Sequence, residues 1–128
     1  MTYYYAKTLD LPFDAAIAAT REALAQEGFG IISEIDVRQT MQNKLGETFR
    51  PYTILGACNP KLAFEALKLE DKVGTMLPCN VVVQQCGEGQ TEVAAIDPVA
   101  SMQAIENPEL TSKAGEVAGK LRAALDRL

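Results

Sequence analysis

Runs of alternating or β-branched residues take turns with helically spaced apolar residues along this chain. Residues 2–8 hold Tyr3, Tyr4, Tyr5 and Thr8, which favour an extended strand. Pro12 opens a helix. Phe13, Ala16, Ile17, Thr20 and Leu24 then recur at helical spacing, and Gly28 fits the stop. Phe29 to Ile35 is β-branched and apolar, a second strand. Asp36 caps a short helix in which Val37, Met41 and Leu45 form an apolar stripe ending at Gly46. Arg50 to Ala57 is a third strand. Asn59-Pro60 is a cap followed by a first-turn proline, and Leu62, Ala63, Ala66 and Leu67 make the next stripe.

The second half reads the same way. Residues 71–78 form an irregular connection. Asn80 to Cys86 and Thr91 to Ile96 are two strands joined by a turn at Gly87-Glu88-Gly89. The mixture of Val81, Val82 and Val83 points to burial on both faces near the start of the first of them. Asp97-Pro98 breaks the second strand, and a short helical piece follows to about Gln103. Asn107-Pro108 repeats the cap-then-proline signal. The last helix carries Leu110, Ala114, Val117, Leu121, Ala124, Leu125 and Leu128 on one stripe. The order β-α-β-α-β-α-β-β-α predicts an α+β fold, with helices on one face of a mostly antiparallel sheet.

Composition narrows the function classes. A chain of 128 residues fits one domain, 1–128, and buries enough surface to need no staples. The 12 basic side chains are scattered and outnumbered by 17 acidic ones, which argues against a nucleic-acid partner. No segment is apolar for long enough to span a bilayer, and no secretory signal opens the sequence, so no membrane partner is expected. Three cysteines cannot pair off into a disulfide framework. Reduced thiols and a cytoplasmic location follow as the expectation. The absence of His removes His-based triads and the usual zinc sets.

Several stretches stand in one order: Gly28-Phe29-Gly30, Glu34-Ile35-Asp36-Val37, Lys44-Leu45-Gly46, Arg50-Pro51-Tyr52, Ile54 through Pro60, Leu77 through Val83, and Asp97-Pro98. This string resembles the family catalogued as domain of unknown function 302, over nearly the whole chain. The resemblance implies a small α+β domain with helices packed on an antiparallel sheet, and a homodimer. It implies no reaction. Cys86 lies outside the matching stretches.

Three groups of residues carry candidate chemistry. Cys58 and Cys79 are each followed by Asn, and Cys58 precedes a helix start, where the dipole favours a thiolate. They are read either as a redox pair or soft-metal ligands, or as small buried apolar residues. Glu34, Asp36 and Asp97 lie near strand ends. They suit a hard cation or acid–base work, or else helix capping and an ion pair of Glu34 with Arg50 or Lys44. Arg50, Tyr52, Asn59 and Asn80 suit an anionic ligand, or a structural ion pair, a core-edge ring, a cap and a strand-start amide.

The candidate ligand site is therefore Glu34, Arg50, Tyr52, Cys58, Asn59, Cys79, Asn80 and Asp97, with Cys58, Cys79 and Glu34 as metal ligands. A cytoplasmic module binding a small molecule or metal ion is the first reading. A thiol redox enzyme using Cys58 and Cys79 is the second, and a dimeric interaction protein without a site the third. No organic cofactor is specified.

Overall fold

The computed structural model describes residues 2–128. Five strands form one sheet: β1 (Tyr4–Leu9), β2 (Gly30–Asp36), β3 (Tyr52–Cys58), β4 (Cys79–Gly87) and β5 (Gln90–Ile96). Their order across the sheet is β1-β5-β4-β3-β2, and every neighbouring pair is antiparallel. The helices are α1 (Phe13–Gln26), α2 (Val37–Leu45), α3 (Pro60–Leu69), α4 (Pro98–Ser101) and α5 (Pro108–Asp126), with a 3₁₀ turn at Val73–Met76. Among the described residues no helix is long and apolar enough to cross a membrane.

Because β1 and β2 lie at opposite edges, α1 must carry the chain across the sheet. It packs beside α5 against β4 and β5. The register explains the core. Leu55, Val81 and Ala95 stand opposite one another on β3, β4 and β5 and are fully buried. Ala16, Ala23 and Leu24 of α1 and Leu121, Ala124 and Leu125 of α5 close over them. Each large side chain removed from water here contributes roughly 2 kcal/mol before its entropy cost. A second apolar cluster lies beside the first: Ala66, Val73, Met102, Leu110 and Ala114.

Among the described residues the other face of the sheet carries no buried apolar cluster. Ala6, Ala94, Val82, Ile54 and Ile35 form a register-aligned row across all five strands. Ile35 at the edge is 48% exposed, and Ile54, Val82 and Ala94 are half-buried. The start of β4 is thus buried on one face only, contrary to the expectation from its three valines.

Local chemistry set the helix ends as the sequence proposed. Asp36, Asn59, Asp97 and Asn107 each accept a backbone N–H at the start of α2, α3, α4 and α5. Gly28 and Gly46 follow helices with φ of 87° and 66°, which side chains disfavour. The apolar stripe of α2 meets no covering layer: none of its residues is buried, and Leu45 is 67% exposed. Nine residues of correct spacing do not ensure a covering layer. Arg50 also falls outside β3, which begins at Tyr52.

An apolar cavity at the sheet end

The two apolar clusters do not meet. Between them lies a cavity of about 300 Å³. One wall is the end of the sheet, with Phe29, Ala57, Cys58, Pro78 and Cys79. The other is helical: Leu62, Ala63 and Ala66 from α3, Pro98 from α4, and Leu110, Ala114 and Val117 from α5. Small side chains account for the space. Gly74, Ala63, Ala66 and Ala114 stand where larger apolar residues would fill it. Lys113 is the one charged residue on the wall among the described residues. Its ammonium contacts the buried Oε2 of Glu65 at 2.8 Å, as an ion contact rather than an aligned hydrogen bond. That contact raises the pKa of Lys113 and lowers that of Glu65, so both stay charged.

Cys58 and Cys79 both line this cavity. Cys79 stands opposite Ala57, so it is one residue out of register with Cys58. Strict alternation would send Cys58 to the far face of the sheet. Cys58 is the last residue of β3, still paired with Gly30 of β2, and where the chain turns into α3 it lines the same space. Cys79 is buried and Cys58 half-buried. Burial, with a smaller push from neighbouring Cys58, raises the Cys79 thiol to about 11. It is a neutral thiol at physiological pH. Asn59 joins the wall while capping α3 through Oδ1, 3.3 Å from the Leu62 amide nitrogen.

The other expected site residues lie elsewhere. Glu34 is exposed and pairs with Arg21 of α1 at 2.5 Å, not with Arg50 or Lys44. A crossing helix supplied a cation that sequence proximity could not reveal. Glu34 does not line the cavity, so it does not join Cys58 and Cys79 around one ion. Among the described residues no three His, Cys, Asp or Glu side chains are grouped to hold a metal. Asp97 caps α4 through its contact with the Val99 amide at 3.0 Å.

Tyr52 and Asn80 line a shallow depression on the open sheet face. Asn80 is exposed there, opposite Gly56, and satisfies no buried group. Arg50 lies beside them, its guanidinium 4.4 Å from the Phe49 ring centre and its Nε donating to Gln84 at 2.9 Å. Cys86 is exposed near the β4–β5 turn.

Leu62, Ala66, Leu110 and Ala114 carry the helical spacing of buried positions, and spacing cannot separate a filled core from a lined one. Ile32 gave less signal still. It lies where the β2–β3 register shifts between Ile31 and Ser33, is 65% exposed, and reaches the cavity rim.

Comparison with known proteins accords with this architecture. No curated protein matches the chain. The crystal structure of an uncharacterized conserved DUF302 protein from Bacillus stearothermophilus superposes with a TM-score of 0.91 at 32% identity, covering 99% of this chain and 98% of that one. The family model of the domain of unknown function DUF302 matches residues 5–128. The chain belongs to the DUF302 family, whose biochemical role its description leaves unassigned.

Proposed function

We propose that this protein is a binding module for a compact, largely apolar organic molecule held between the sheet end and α3, α4 and α5. The observation that carries this reading is the cavity itself. Its volume of about 300 Å³ is at the lower end of what small-ligand sites occupy. Its lining is apolar apart from Asn59, Lys113 and the two thiols. Thiolate catalysis is the weaker reading, because burial keeps Cys79 protonated near neutral pH. A cytoplasmic setting, where thiols stay reduced, suits the three free cysteines.

Toluene and indole are suitable probes of the cavity. Saturable binding in ligand-observed NMR, with a rise in Tm, is the expected result. Failure of every small apolar probe to raise Tm would remove the reading.

The open sheet face favours a second role, as the contact surface of a homodimer. The Ala6-to-Ile35 row is an apolar strip on an uncovered face. Beside it runs a polar row in which Arg50 donates to Gln84 at 2.9 Å and Gln84 donates to Glu92 at 3.2 Å. A two-fold axis over Gln84 would bring Arg50 to the partner's Glu92. The face is therefore self-complementary in both charge and apolarity.

A further inference from the structure

We propose that Cys58 and Cys79 together bind one Cu(I) ion as a two-coordinate dithiolate on the sheet side of the cavity. The proposal rests on the cavity described above but not on its holding an organic ligand. Antiparallel pairing of Ala57 with Cys79 puts the Cys58 and Cys79 Cα atoms about 6 Å apart, a spacing at which two thiols can meet each other or one ion. Both residues line the same space, so that closeness is usable.

The donor set selects the metal. No third His, Cys, Asp or Glu among the described residues completes a group, which leaves too few ligands for tetrahedral zinc or a hard cation. Two soft thiolates suffice for Cu(I). The lining around them is mostly apolar and includes the thioether-bearing Met102. The step involves no oxidation. Two S–H bonds break, two Cu–S bonds form, and two protons leave to solvent. The complex carries one negative charge, and Lys113 of α5, which already pairs with Glu65, is the one cation lining the cavity among the described residues. Since both thiols must lose protons, affinity rises with pH.

The test uses the full chain, reduced and kept anaerobic, titrated with Cu(I) held by bicinchoninate. The protein should withdraw one equivalent from the chelator. Cys86→Ser should withdraw the same amount, because Cys86 is exposed near the turn. Cys58→Ser and Cys79→Ser should each withdraw none. Cys58 is half-buried, so its variant tests the site even if Cys79→Ser fails to fold. Zn(II) offered in the same way should not bind. No withdrawal by the wild type, or undiminished withdrawal by Cys58→Ser, overturns the proposal. Saturable toluene binding in a protein that takes no Cu(I) would leave the apolar-ligand reading intact and reject this one alone.

Discussion

The Ser33 hydroxyl of β2 occupies the space that a side chain at Gly56 of β3 would need. A Cβ at Gly56 would lie 2.1 Å from Ser33 Oγ and 2.7 Å from Pro78 Cγ. The serine rotates, but the proline ring is held by its own backbone. Gly56→Ala should therefore destabilise the fold by about 1 to 3 kcal/mol, the range for overpacking. Urea denaturation measures it. A variant as stable as the wild type would show that the β2–β3–β4 approach is loose.

Alkaline stability should report on Cys79. Burial first, and Cys58 second, raise its thiol from 9.0 to about 11. Between those values the unfolded chain has released the proton and the folded chain retains it. The unfolded state then binds fewer protons, so stability falls as pH rises. It is undiminished below about pH 9, and the full loss on passing 11 amounts to about 2 to 3 kcal/mol. Cys79→Ala lacks the group and should lose less between pH 8 and pH 10.5 in urea titrations. Equal losses in the two proteins would assign the effect to other residues.

Asn59 has a structural task whatever the cavity holds. Its Oδ1 accepts from the Leu62 amide at 3.3 Å. Asn59→Ala should cost about 1 kcal/mol, and Asn59→Asp, which keeps the acceptor, should cost less. If the two variants are equally unstable, capping is not the reason for Asn59.

Filling the cavity should separate stability from binding. Ala66 is buried on α3 and lines the space. Ala66→Leu should hold or raise stability, by up to about 2 kcal/mol as cavity-filling changes do. It should also abolish toluene binding. A loss of more than 1 kcal/mol, the mark of overpacking, would mean that the space is already closed.

The open face predicts the oligomeric state. Light scattering at micromolar concentration should give a dimer for the wild type and a monomer for Val82→Lys, which charges the centre of the apolar row. A monomeric wild type ends the dimer reading.

The sequence by itself determined what local chemistry controls. Asn59-Pro60 and Asn107-Pro108 start helices because a side-chain acceptor meets free amides and proline gives up none. Alternation located the strands, since side-chain direction repeats every two residues. The ordered motifs also carried the family. Strand order, however, was a tertiary matter. Placing β1 and β2 at opposite edges sends α1 across the sheet and sets Arg21 against Glu34, a contact between residues that no local pattern links. The cavity was decided in the same way. Ala66 and Ala114 are spaced like core residues, and only the distance between α3, α5 and the sheet end shows that they line a space. Cys58 makes the point most sharply. Alternation sends it away from Cys79, yet Cys58, still paired with Gly30 of β2 but past the last pair with β4, lines the same cavity as Cys79, because the turn into α3 rather than the pleat sets what surrounds the last residue of a strand.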